Sequence, residues 1–212
     1  MTMDAGYLLA IETAVAGGSI ALFDGDTYVD GRSGNVSRSE TLLSCIDELL
    51  IVQGIEKSAI RELAVSLGPG SYTGIRIGIA TALGLKNAFS LECIGVSVLF
   101  AMSAVSDGGA PSTCAVGMGR KGVCLQEFST VAHPVSDPIV TGNPAVVELI
   151  ERGERNVVVD PSLYLEIRDS ILGEFQKRMV DAGPVLARLV GKAARYGFGS
   201  EELDPIFIST HQ

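Results

Sequence analysis

Three features of the sequence predict an α/β fold in two lobes. Three short apolar runs near the N-terminus are followed by alternating helical and extended patterns, giving the order β-β-β-α-β-α-β-α through Val105. A stretch rich in Gly, Ser and Pro, from Ser106 to Ser112, then interrupts the pattern, and weaker strand and helix signals follow it. Hydrophobic residues make up 47% of the 212 residues and charged residues only 19%, so the chain can build a substantial core and disorder is excluded as its dominant state. The lobes are placed at residues 1–106 and 107–212.

The apolar run Tyr7 to Ile11 suits a buried strand. Ser19 to Phe23 is the second strand, and Asp24-Gly25-Asp26 turns the chain into a third at Thr27 to Asp30. Ser37-Arg38-Ser39-Glu40 matches a capping box, with Ser37 as N-cap and Glu40 reaching back. Leu42, Leu43, Ile46, Leu49 and Leu50 then recur at helical spacing, and the helix is expected to end at Gln53-Gly54, where glycine takes the left-handed cap. Leu63 to Leu67 is the fourth strand, Thr73 to Phe89 the second helix, Glu92 to Val96 the fifth strand, and Ser97 can cap a third helix. That order fits the ribonuclease-H-like half of the actin and sugar-kinase architecture, a mixed sheet with helices on its faces.

In the second half, Thr113 to Val116 and Val123 to Phe128 read as strands around a glycine-punctuated turn. Three Pro-containing dipeptides make Ala132 to Asn143 mostly loop. Ala145 to Arg152 and Pro184 to Tyr196 read as helices, and Val157 to Val159 as a strand. No internal repeat is visible.

Composition restricts function. The formal net charge is -9, and Arg120-Lys121 is the longest basic cluster, so the chain has no basic face with which to grip nucleic acid by itself. Its four cysteines form no Cys-x-x-Cys pair, which argues against a zinc ribbon or a disulfide framework. The sequence has no basic region followed by a long apolar run at its start and no apolar run of about 18 residues, so no signal peptide and a cytoplasmic location without membrane contact are expected. The two histidines, His133 and His211, stand in no metal-binding spacing, and no metal site is expected.

The stretch Gly68-Pro69-Gly70-Ser71-Tyr72-Thr73-Gly74 joins a buried strand to a helix. Such a turn can present backbone N–H groups to an anion, which makes Gly68, Gly70, Ser71 and Thr73, with Glu12 at the end of the first strand, candidates for an anion- or nucleotide-contacting loop. No lysine follows in the phosphate-loop position, and capping the helix is the better reading of Ser71 and Thr73. Gly70, Gly74, Gly78 and Ala82 recur every four residues along one helical face. Interior glycines cost about 1 kcal/mol each in a helix, so a close approach by another element is implied; its owner, this chain or another, stays open. Arg76 sits in the first turn of that helix, against the helix dipole, and points to an external carboxylate or phosphate as readily as to plain solvation.

Residues Ser66-Leu67-Gly68-Pro69-Gly70-Ser71-Tyr72-Thr73-Gly74-Ile75-Arg76-Ile77-Gly78 resemble the signature of the TsaB (YeaZ) family. Leu8-Leu9-Ala10-Ile11-Glu12-Thr13 is similar to the family's opening strand, where the acid is usually aspartate. Ile94-Gly95-Val96-Ser97 and Asp204-Pro205-Ile206-Phe207-Ile208 resemble two further segments. The likeness is strong over about the first 105 residues and loose beyond. Arg38 stands where the family often has histidine, and Gly117-Met118-Gly119-Arg120 where it usually carries an Asp-Ala-Arg-like segment.

The resemblance implies an actin-like fold and a non-catalytic subunit that pairs with a TsaD-like catalytic subunit and a TsaE-like ATPase in making threonylcarbamoyladenosine beside the tRNA anticodon. It implies no cofactor of the chain's own, leaves room for ATP or ADP at or near the partner interface, and brings tRNA only through the complex. The family's glycoprotease-like naming finds no support in these residues. Because Cys45, Ile51 and Val52 widen the apolar arc of the first helix, helices one and two are expected to form half of a helix-bundle interface. Leu42, Leu43, Ile46, Leu49, Leu50, Gly74, Arg76, Gly78, Thr81 and Ala82 are its candidate residues, and the same face is expected to make a homodimer when no partner is present. The alternative reading is an actin-like ATPase or small-molecule kinase with its own nucleotide site.

Overall fold

The structure is a computed structural model that describes residues 6–105 and 110–208. The expected division at 106/107 falls at residues outside that description. In the first lobe the order is β1 (Tyr7–Glu12), β2 (Ser19–Asp24), β3 (Thr27–Ser33), α1 (Ser39–Gln53), β4 (Ile60–Gly68), α2 (Tyr72–Phe89), β5 (Glu92–Ser97) and α3 (Val98–Ser103). The strands form one mixed sheet in the order β3-β2-β1-β4-β5, antiparallel across β3-β2-β1 and parallel across β1-β4-β5.

The second lobe runs β6 (Ser112–Gly117), β7 (Val123–Thr130), β8 (His133–Pro134), β9 (Ile139–Thr141), α4 (Asn143–Arg152), β10 (Asn156–Val159), α5 (Pro161–Ile167), β11 (Met179–Asp181) and α6 (Leu186–Arg195). Its sheet order is β11-β10-β6-β7-β8, with β9 also on β7. Strand for strand this repeats the first lobe, with a central strand flanked by an antiparallel hairpin on one side and two parallel strands on the other. The repeat is one of topology and has no visible counterpart in the side chains.

Period-two patterning sorts each strand's residues between layers. Leu9, Ile11, Ile20, Leu22, Leu63 and Val65 face a core shared with Leu42, Ile46, Leu49 and Leu50 of α1 and Ala82 of α2. The alternate residues Leu8, Ala10, Ala21, Phe23 and Ala64 face α3 and α6, and Cys114, Val116 and Val158 of the second sheet meet the same helices from the far side. Ala115, Val157 and Val159 point outward to α4 and α5. The layers are therefore α1/α2, sheet, α3/α6, sheet, α4/α5. α6 comes late in the chain yet packs on β1 and β2, and Arg195 there donates twice to Glu62, at 2.7 and 2.9 Å.

Two helix ends test the local readings. Gly54 closes α1 in the left-handed region at φ 67°, its N–H reaching Ile51 and Leu50 carbonyls. The capping box does not form. α1 starts at Ser39 with Arg38 as N-cap and no side-chain cap bond. The reason is tertiary: the N–H groups of Val36 and Ser37 both donate to Gly17 O at 2.9 Å, which commits Ser37 to the turn before the helix.

Candidate functional site

Two surfaces carry the residues of interest, a cleft between the lobes and the outer face of α1 and α2. Glu12 ends β1 beneath the cleft and is fully buried. Its Oε1 accepts the N–H groups of Ala14 at 2.6 Å and Val15 at 3.0 Å, with Ser66 Oγ at 3.4 Å, while Oε2 has no protein partner. Burial raises its pKa to about 8, the backbone bonds pulling the other way, so the side chain carries a proton at neutral pH. Glu12 thus shapes the β1–β2 turn from below and does not line the cleft.

The glycine-rich turn packs closely on that β1–β2 turn. Ser71 N donates to Ala14 O at 2.7 Å, and Ser71 Oγ caps α2 by accepting from Gly74 N at 3.2 Å. Gly68 and Gly70 have φ of 95° and 153°, and the Gly68–Pro69 peptide is cis. Side chains at Gly74 and Gly78 would run into the carbonyl and hydroxyl oxygens of Thr13. The element that approaches the small-residue stripe is therefore β1's own end.

The cleft, about 530 Å³, is lined by Thr13 to Gly17, Gly70, Ser71, Gly117, Met118, Lys121, Asp160 and Glu166 among others. Gly68 and Thr73 lie outside this lining. Asp160 is the functional-looking residue that sequence reasoning missed. It caps α5 through Oδ1, accepting from Ser162 N at 2.9 Å and Leu163 N at 3.2 Å, while Oδ2 accepts from Gly117 N at 2.7 Å. Burial pushes its carboxyl above the usual range despite these bonds. The Asp160-Pro161 step after a Val run was the signal available. Among the described residues Lys121 is the one cation in the lining, against Asp160 and Glu166. Among the described residues no group of three or more His, Cys, Asp and Glu is placed to hold a metal. His133 is exposed, with Nδ1 on Val131 O at 2.8 Å, and His211 lies outside the described residues.

Of the residues expected at a partner interface, Leu42, Ile46, Leu49, Leu50, Gly74, Gly78 and Ala82 are turned into the chain's own packing. Leu43 and Arg76 are exposed, and Thr81 is half-buried. The outward face of α1 also carries Ile51 and Val52, 76% and 66% exposed, and α2 adds Leu83. The solvent-facing layer of these helices accordingly lies outside the predicted stripe. Among the described residues, no helix is long and apolar enough to cross a membrane.

Known proteins share both the fold and part of the sequence. Residues 35–133 match the family model described as TsaD, tRNA N6-adenosine threonylcarbamoyltransferase. The protein named tRNA threonylcarbamoyladenosine biosynthesis protein TsaB from Escherichia coli (strain K12) is 39% identical over 98 residues, 45% of this chain and 42% of that protein. Its namesake from Haemophilus influenzae is 34% identical over 97 residues, 45% and 41% of the two chains. Over these residues the chain is similar to TsaB. The matched part spans about two fifths of the length of these TsaB proteins. The solved structure of YeaZ from Pseudomonas aeruginosa superimposes with a TM-score of 0.66 at 20% identity, covering 96% of this chain and 100% of YeaZ. A putative N-acetylglucosamine kinase from Chromobacterium violaceum gives 0.51 at 11% identity, with 89% and 99% covered. These likenesses establish the actin-like α/β fold.

Proposed function

We propose that the chain is a non-catalytic subunit that works in tRNA threonylcarbamoyladenosine biosynthesis by docking on a TsaD-type catalytic protein. The observation that carries this reading is the solvent side of α1, where Ile51 stays exposed near its middle and Leu43 and Val52 at its two margins, although the helix's inner face is fully packed. Exposed apolar residues grouped on one element mark an interaction surface. The kinship with TsaB supplies the biological setting. By binding the competent conformation of its partner preferentially, the subunit raises that conformation's population. A TsaE-like ATPase joins the assembly, with ATP or ADP at or near the interface, and tRNA is met through the complex. Without its partner the same face pairs two copies. Co-purification with the cognate TsaD-type protein and a modification assay with and without this chain test the reading. Undiminished modification without the chain would contradict it.

A second reading, an actin-like ATPase or small-molecule kinase, draws on the cleft between the lobes. Against it, Lys121 shares that lining with two carboxylates, and the Ser71 N–H is already spent on Ala14 O. Calorimetry with magnesium and ATP on the isolated chain separates the two readings: tight binding favours the kinase.

A further inference from the structure

Arg76 is held in place yet, among the described residues, has no counter-charge. Its guanidinium carbon lies 3.9 Å from the centre of the Tyr72 ring, and Tyr72 packs in turn on Phe207 of the C-terminal segment at 4.7 Å between ring centres. That segment is tied down by Ile206 N donating to Leu67 O at 2.7 Å. Tyr72 and Phe207 remain 44% and 42% exposed. Among the described residues Arg76 takes part in no ion pair, although the chain's net charge is -9. Beside it runs a shallow groove of about 350 Å³, lined by Ser39, Tyr72, Thr73, Ile77 and Ala80, in which Arg76 is the only cation.

We propose that Arg76, seated on Tyr72, receives a single carboxylate from an apolar helix of the docking partner. This rests on the docking reading above and names the partner's chemistry at one end of that face. Stacking fixes the side chain before binding, so little entropy is lost when its N–H edge pairs with a carboxylate, and Arg does this bidentately where Lys cannot. A polyanionic phosphate would call for several cations or N–H groups. The groove offers one cation, and exposed Glu40 follows Ser39 in the first turn of α1. The apolar and small residues around the guanidinium suit a helix surface.

The test is the affinity of the full chain for the cognate TsaD-type protein, by calorimetry, at low and high salt, with and without ATP. Arg76→Ala is expected to weaken binding about tenfold, Arg76→Lys by less, and Arg76→Glu by more than either, the differences shrinking at high salt. Arg76 is exposed, so thermal midpoints should stay put. If Arg76→Glu binds like the parent while Ile51→Glu does not, the face docks but the carboxylate proposal is wrong. If neither change matters, the docking reading itself fails. If the Arg76→Ala loss appears only with ATP present, the group contacts phosphate and the proposal is overturned.

Discussion

The hydroxyl of Thr13 donates to the carbonyl oxygen of Gly74 at 2.7 Å, a bond across 61 residues that ties the end of β1 to the first turn of α2. It shows why Gly74 and Gly78 are small: the neighbour is Thr13, whose backbone and side chain occupy the space a Cβ would take. Gly78→Ala is expected to destabilise the fold by about 1–3 kcal/mol through overpacking. Gly74→Ala should do the same, because its Cβ meets backbone that cannot swing aside. Urea unfolding measures both; unchanged midpoints would mean that the helix is free to move off β1.

Glu12 makes stability depend on pH with a definite sign. Its native pKa is raised to about 8 from an ordinary 4.5, so between those values the unfolded chain has released a proton that the folded chain retains. The contribution is full below about 4.5 and is lost as pH rises through about 8. Glu12→Gln should flatten this slope, so that the variant gains on the parent by a few kcal/mol from pH 5 to pH 9. Parallel pH profiles for the two proteins would show that Glu12 is ionised in the fold.

Asp160 joins two turns across the cleft wall of the second lobe. Asp160→Ala removes the cap of α5 and leaves the Gly117 N–H without its acceptor, an expected loss of about 2–3 kcal/mol. Asp160→Asn retains one acceptor oxygen and should cost less. Hydrogen exchange at Gly117 and Ser162 would follow the loss locally.

Most strands of the first lobe were legible because both faces of its sheet are covered, and apolar runs such as Leu8–Ile11 admit few alternatives. α1 and α2 were legible from their 3.6-residue spacing. Ser37 was misread because its N–H bonds Gly17, a contact no local pattern encodes. α5 was missed because it has seven residues and begins at Pro161, where Asp160-Pro161-Ser162 also reads as a turn. The small stripe announced a close approach, but spacing along one helix cannot say which element comes near. Nor can it separate Leu42, which is buried, from Leu43, 52% exposed beside it; only the sheet's position beneath α1 does that.

Docking is assigned to the outer face of α1. The direct measurement is the dissociation constant between the cognate TsaD-type protein and the chain, with Ile51→Glu and Val52→Glu set against the parent. Both side chains are exposed, so unfolding midpoints should move by no more than about 0.5 kcal/mol in equivalent stability. Binding should weaken at least about tenfold as a charge enters an apolar contact. Parental affinity in both folded variants would contradict the account.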